Sequence, residues 1–195
     1  MFLLLLVVVH AVLDVLDEPD RLLAWLSTNL DNLHHHPLGS LVGSLLVING
    51  PLRPALDSSF GGTVITLVLG IGVALWVLEV RRGSRAAVTI LLVGQVGATL
   101  LPALVVHAAV ASGRYPPETS SALDVGISYG AQAALAAVTG FLPRPARALW
   151  VLFVVAWPLA DAAWFGLLPD FTTVGHLVSA ALGGVVVALW RPQDR

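Results

Sequence analysis

Long apolar stretches are the feature that most constrains how this chain can fold. A helix that crosses a bilayer needs about 20 mostly apolar residues. Prolines stand in the connections between such stretches, as expected of residues that break helices. The sequence contains six candidate spans, namely Met1–Leu16, Gly62–Val80, Ala86–Ala111, Ala122–Leu142, Ala146–Leu168 and Thr172–Trp190.

The composition is typical of a membrane protein. Charged residues make up 11% of the chain and hydrophobic residues 57%, whereas a soluble domain has about 25% charged residues. So few charges cannot coat a water-facing surface, which argues against an ordinary soluble enzyme, a disordered chain and a nucleic-acid binder. The chain has no cysteine, so thiolate metal sites and disulfides are excluded. We therefore expect an all-α polytopic membrane protein with residues 1–195 as a single domain.

The placement of arginine predicts the topology. Six alternating crossings put three arginine-bearing segments on one side, which the positive-inside rule makes cytoplasmic. We therefore expect a multi-pass protein of the cell membrane with both termini in the cytoplasm. Seven of the ten basic residues lie on this predicted inner side, namely Arg81, Arg82, Arg85, Arg144, Arg147, Arg191 and Arg195.

The same topology makes the segment 17–61 external. Its apolar stretch Leu38–Ile48 is too short to cross, so we expect it to form an interfacial or re-entrant helix. The run His34-His35-His36 lies in this segment. Because consecutive residues do not share one helix face, this run favours a loop over a metal site.

Polar side chains inside the predicted spans are functional candidates, because they are costly in lipid. Ser128 lies six residues into the fourth span and His176 four residues into the sixth, roughly 9 Å and 6 Å below the outer boundary. A serine hydroxyl becomes a good nucleophile when a base such as histidine takes its proton. The candidates are His10, Asp14, His107, Asp124, Ser128, Asp161 and His176.

Helix packing is the alternative interpretation of the same residues. Gly126 and Gly130 form a G-x-x-x-G pattern, and His176 precedes the small residues Ser179 and Gly183. Small residues of this kind let membrane helices approach closely. Asp124, one turn before Ser128, favours a cap at the external end of the helix, where carboxylates are stabilised.

Three short motifs resemble those of the rhomboid family of intramembrane serine proteases. Glu79-Val80-Arg81-Arg82-Gly83-Ser84 resembles its E-x-x-x-G-S signature. Gly126-Ile127-Ser128 resembles the start of its G-x-S-G nucleophile motif, and Gly175-His176-Leu177 with Gly183 resembles its sixth-helix motif. The similarity covers residues 61–190. It implies a six-transmembrane-helix rhomboid-like bundle whose first external loop, residues 17–61 here, is membrane-associated.

The resemblance also implies a chemistry. Ser128 would be the nucleophile and His176 the general base, acting on transmembrane protein substrates without a metal or cofactor. Packing of the fourth helix against the sixth would be served by small residues. Carried over to this chain, these are Gly126, Gly130, Ser179 and Gly183.

The chain departs from the family pattern beside the expected nucleophile and at the oxyanion donors. Tyr129 replaces the glycine that follows the serine, while Thr63 and Leu67 stand where the family has a histidine and an asparagine. Losing an oxyanion donor costs about 100- to 1,000-fold in turnover, although His107 or backbone N–H groups could substitute. Two functions therefore remain open, a protease and a non-catalytic relative that binds transmembrane clients. A small transporter has less support, because the sequence shows no inverted repeat or paired broken helices.

Overall fold

The computed structural model describes residues 2–13, 19–48, 58–160 and 162–190, and these are largely helical. A π-helical stretch, Ile65–Ala74, joins α5 to α6, and 3-10 turns cover Pro117–Ser121 and Thr139–Phe141. Strands β1 (Trp164–Phe165) and β2 (Leu168–Pro169) pair as a short antiparallel hairpin between α9 and α10. The α-helices are α1 (Phe2–Leu13), α2 (Pro19–Leu26), α3 (Leu30–His35), α4 (Pro37–Ser44), α5 (Ser58–Val64), α6 (Leu75–Arg82), α7 (Ser84–Ala111), α8 (Ser128–Val138), α9 (Arg144–Ala160) and α10 (Phe171–Leu189).

Among the described residues, three helical segments are long and apolar enough to cross a membrane, namely Phe60–Arg82, Ser84–Ala111 and Phe171–Leu189. They correspond to the second, third and sixth predicted spans. Helices α1 and α8 have 12 and 11 residues, which is about 18 Å and 16 Å of helix. The count of six crossings therefore stays a prediction. The candidates Asp14 and Asp161 lie outside the described residues, as do Arg191 and Arg195.

Helix α8 is the buried centre of the bundle. It is rich in alanine, and its residues form the main hydrophobic cluster together with Leu78, Ile90 and Val154. Because alanine is small, neighbouring helices approach its backbone closely. A Cβ placed on Gly70 would lie 2.5 Å from the Cβ of Ala131. The polar groups of α8 must therefore find partners inside the protein.

The predicted fourth span begins later than the hydropathy pattern indicates. Residues 122–127 are not helical, and α8 starts at Ser128. Gly126 has φ = 113°, a conformation that glycine adopts readily and other residues rarely adopt. Gly126 thus lies outside the helix that contains Gly130, so the prediction that these two glycines form one G-x-x-x-G helix face is wrong.

Segment 122–127 is tied to the region that precedes α5. The backbone N–H of Thr28 donates to the carbonyl of Asp124 at 2.7 Å, and that of Ile127 donates to the carbonyl of Val47 at 3.1 Å. The backbone N–H of Asp124 donates to the Ser27 hydroxyl at 2.9 Å. These bonds explain why an apolar segment leaves the helical conformation, since its backbone groups are satisfied elsewhere.

Candidate active site

Ser128 is the first residue of α8, and its side chain is half-buried. The backbone on both sides of it is held by the buried amide of Gln95. The Gln95 Nε2 donates to the carbonyl of Gly126 at 2.9 Å, and the Gln95 Oε1 accepts from the N–H of Gly130 at 2.9 Å. Gln95 therefore fixes the turn that carries Ser128. Gln95 was not among the residues predicted from ionisable groups, although an uncharged amide within an apolar run also requires partners.

The imidazole of His176 is buried in α10, and its protonation state follows from its contacts. Its Nδ1 lies 2.9 Å from the carbonyl oxygen of Thr172. Because a carbonyl can only accept, Nδ1 carries a proton, and in the neutral ring this leaves Nε2 with a free lone pair. Within the described residues this buried Nε2 has no hydrogen-bond partner.

Two aromatic rings enclose His176. The rings of Tyr129 and Trp157 both lie with centroids 5.0 Å from the imidazole, with interplanar angles of 73° and 66°. Trp157 donates from Nε1 to Oε1 of Gln132 at 2.8 Å, and Gln132 donates in turn to the carbonyl of Val154 at 2.7 Å. The structure thus brings Tyr129 and Trp157 against His176, and Trp157 was not predicted as a site residue.

Ser128 and His176 lie on packed helices but do not form a preassembled pair. The Ser179 hydroxyl donates to the carbonyl of Tyr129, which joins α10 to the first turn of α8. In the described part of the chain, however, no hydrogen bond joins Ser128 to either nitrogen of His176. Their assignment as nucleophile and base stays a prediction.

The carboxylate of Asp124 receives hydrogen bonds from two sides. The Tyr129 hydroxyl donates to its Oδ1 at 3.0 Å, and the Thr28 hydroxyl lies 3.1 Å from its Oδ2. The prediction that Asp124 caps the helix is wrong, because Ile127 occupies the N-cap position and no side chain caps it. Burial raises the pKa of Asp124 to about 6, and its hydrogen bonds with Tyr129 and Thr28 oppose this rise.

The predicted auxiliary residues lie in different surroundings. Thr63 is buried in α5. Leu67 is buried in a hydrophobic cluster with Ile71 and Ile127, where it offers no hydrogen-bond donor. His107 is an exposed residue of α7, in contrast to the buried His176.

The small residues predicted to bring the fourth and sixth spans together separate into two groups. A Cβ on Gly183 would lie 2.2 Å from the carbonyl oxygen of Ala133 in α8. Gly183 and Ser179 thus line the contact between α10 and α8. A Cβ on Gly130 would instead meet Leu91 of α7, at 2.9 Å from its Cδ1. Gly130 therefore serves the packing of α8 against α7.

These features define an integral membrane protein with a buried polar site at the start of one helix. The chain belongs to the family of rhomboid-like proteins, whose profile matches residues 1–195. This match confirms the family resemblance that the sequence motifs indicated. No curated protein and no solved structure matches the chain.

Proposed function

We propose that this protein is a rhomboid-like intramembrane serine protease in which Ser128 is the nucleophile and His176 the general base. The observation that carries the proposal is the state of the His176 ring, whose Nε2 has a lone pair and no partner among the described residues. Buried polar atoms nearly always have a hydrogen-bond partner. An unpaired one therefore indicates a functional role. An unprotonated imidazole nitrogen is what a general base requires before it can take the proton of a serine.

The reaction follows from these two groups. The Ser128 Oγ attacks the carbonyl carbon of a peptide bond in a transmembrane substrate while its proton passes to Nε2 of His176. The imidazolium then gives this proton to the leaving amine, and water repeats the sequence to release the acyl group. The bond from Nδ1 to Thr172 holds the ring in place while it is positively charged. In the first turn of α8 the N–H groups of Gly130 and Ala131 already donate to Gln95 and Ile127, so stabilisation of the developing oxyanion would fall to the N–H groups of Ser128 and Tyr129 at the start of the helix.

Substrate binding has a geometric task in this mechanism. It must bring the Ser128 hydroxyl to about 3 Å from Nε2 of His176, a contact that tightens in many enzymes only when substrate is bound. The Tyr129 ring lies against the imidazole and must leave this approach open. The half-buried position of Ser128 gives its hydroxyl room to turn.

A second function is favoured by the enclosure of His176. Tyr129 and Trp157 both pack against the imidazole, and Leu67 is part of a hydrophobic cluster at a position where the family has an oxyanion donor. A protein with these features could bind transmembrane clients without cleaving them. In that case the polar network around Tyr129 would be purely structural.

Labelling with a serine-reactive fluorophosphonate in native membranes separates the two functions. A protease predicts labelling of the wild type that disappears in Ser128→Ala and in His176→Ala. The control Ser112→Ala, at an exposed serine that ends α7, should label like the wild type. Size-exclusion profiles of the purified variants show whether each has folded.

Client capture provides the opposite outcome. If the wild type does not label, and Ser128→Ala captures a single-span membrane reporter as well as the wild type does, the protease proposal is wrong. The non-catalytic function then stands.

A further inference from the structure

A buried amide in α8 connects three helices around the candidate general base. Gln132 of α8 has no exposed surface. Its amide is bonded to α9, and the α9 ring that it holds packs against His176 of α10. We propose that Gln132 is a positioning residue that fixes the orientation of the His176 imidazole through the indole of Trp157. This role rests on the proposed function, because it concerns how the general base is presented to Ser128.

Pro158 creates the acceptor to which Gln132 is bonded. A proline inside a helix has no N–H, so the carbonyl four residues earlier loses its helical hydrogen bond. In α9 this carbonyl belongs to Val154, and both Val154 and Pro158 are buried. The Gln132 Nε2 donates to the Val154 carbonyl at 2.7 Å. The amide in α8 therefore satisfies a buried carbonyl that α9 itself cannot satisfy.

The other end of the amide holds Trp157. The Gln132 Oε1 accepts from the indole Nε1 at 2.8 Å. A carbonyl can only accept and an indole N–H can only donate, so the two bonds together allow one orientation of the amide. The indole is thereby fixed at its polar edge. Its ring centroid lies 5.0 Å from that of His176, with an interplanar angle of 66°.

The imidazole needs this support because its own hydrogen bond holds one atom only. The bond from Nδ1 to the Thr172 carbonyl leaves the ring free to turn about that contact. The direction of Nε2 then depends on the rings of Tyr129 and Trp157, which pack against the imidazole. A further contact ties α9 to α10 beside His176, since the Thr173 hydroxyl lies 3.2 Å from the carbonyl oxygen of Pro158.

Nitrogen NMR of the imidazole tests the orientation directly. The full chain is prepared with ¹⁵N-labelled histidine in detergent micelles, and the His176 signals are identified by their absence from His176→Ala. The wild type should show the Nδ1–H tautomer, as the bond to Thr172 requires. Gln132→Leu removes both amide bonds, so this tautomer should give way to a mixture of the two. Trp157→Phe keeps an aromatic ring without the N–H and should act in the same direction.

Two further variants separate positioning from a general loss of packing. Trp150 also joins α9 to α8, by donating from Nε1 to the carbonyl of Leu135 at 2.8 Å, but its ring packs against Phe153. Trp150→Phe should therefore leave the His176 tautomer unchanged. Gln132→Glu should restore the wild-type spectrum, because a carboxyl buried in this position stays neutral. Its O–H and its C=O can then make the two bonds of the amide.

The rate of fluorophosphonate labelling connects the orientation of the ring to the reaction. Gln132→Leu should label about 10- to 100-fold more slowly than the wild type, because a misplacement of about 1 Å can cost about 100-fold in rate. Trp150→Phe and Gln132→Glu should label like the wild type. Size-exclusion profiles of all variants show which have folded.

The role of Gln132 is overturned if folded Gln132→Leu and Trp157→Phe keep the wild-type tautomer, or if they change the tautomer without slowing the labelling of Ser128. Failure of the proposed function has a different signature, since the wild type itself then does not label. In that case a changed tautomer in Gln132→Leu still supports Gln132 as the residue that orients the ring, and an unchanged one contradicts it.

Discussion

The single residue Tyr129 connects Asp124 to His176 within the site. Its hydroxyl donates to Asp124, its ring contacts His176, and its carbonyl accepts from Ser179. We expect Tyr129→Phe to keep the ring contact and to lower the free energy of unfolding by about 1–3 kcal/mol, because a buried carboxylate oxygen loses its partner. Chemical denaturation in mild detergent measures the change. Unaltered stability would show that the hydrogen bond contributes nothing.

Asp124 should make stability depend on pH. Burial raises its pKa from 3.8 to about 6 in the folded protein, so the folded state binds the proton more tightly than the unfolded state. The stabilisation is therefore complete below about pH 4 and is lost as the pH rises through about 6. Between pH 4 and 7 the wild type should lose about 2 kcal/mol of unfolding free energy relative to Asp124→Asn, as measured by unfolding at each pH.

A matched variant separates this titration from a general loss of hydrogen bonding. Tyr115 donates its hydroxyl to the carbonyl of Pro169, so Tyr115→Phe also removes one tyrosine hydrogen bond. Tyr115→Phe should leave the pKa of Asp124 unchanged, whereas Tyr129→Phe should raise that pKa, because it removes a hydrogen bond to the carboxylate. Parallel pH profiles for the wild type and Asp124→Asn would contradict the assignment to Asp124.

Single residues also show what the sequence could not specify. Span counting predicted a similar depth for Ser128 and His176, and the family resemblance predicted that their helices pack together, but neither predicted the amide of Gln95 on both sides of Ser128. The reason is physical, since a hydrogen-bond partner depends on which helix faces approach. The wrong cap at Asp124 has the same origin, because Tyr129 and the Thr28 hydroxyl compete with the helix end for its oxygens.

The packing of α10 on α8 gives a sharp test at the scale of elements. A Cβ on Gly183 would lie 2.2 Å from the carbonyl oxygen of Ala133, whereas no heavy atom lies within 4 Å of one on Gly184. We expect Gly183→Ala to lower the free energy of unfolding by at least about 2 kcal/mol through overpacking. Gly184→Ala should be neutral or stabilise by up to about 1 kcal/mol through helix propensity. Equal effects in denaturant unfolding would disprove this close contact.

The small residues near His176 were predictable as a packing face, but the start of α8 was not. Residues 122–127 are mostly apolar, so their hydropathy indicates a continuing span. The positive φ of Gly126 and the backbone bonds to Thr28 and Val47 end the helix there. Such long-range bonds leave no trace in local hydropathy, which is why the predicted boundary was wrong by six residues.

The number of crossings is a property of the whole molecule, and α8 is one of the short helices on which it depends. Its 11 residues are fewer than an isolated span needs, yet a buried helix can cross where the bundle surrounds it and the bilayer thins locally. The six-span topology predicted from the arginine distribution requires this crossing. Ser112 and Gly140, which flank α8 on either side and are both exposed, should then face opposite sides of the membrane.

Because the sequence has no cysteine, the crossing of α8 can be tested with single-cysteine variants and a membrane-impermeant maleimide on intact cells. Ser112→Cys and Leu167→Cys should label from outside, and Ser84→Cys and Gly140→Cys should label after permeabilisation only. Leu167 is 96% exposed, so its reagent access is not limited by the fold. If positions 112 and 140 react from the same side, α8 does not cross. The arginines of the α8–α9 connection would then lie outside, against the charge rule that predicted six spans.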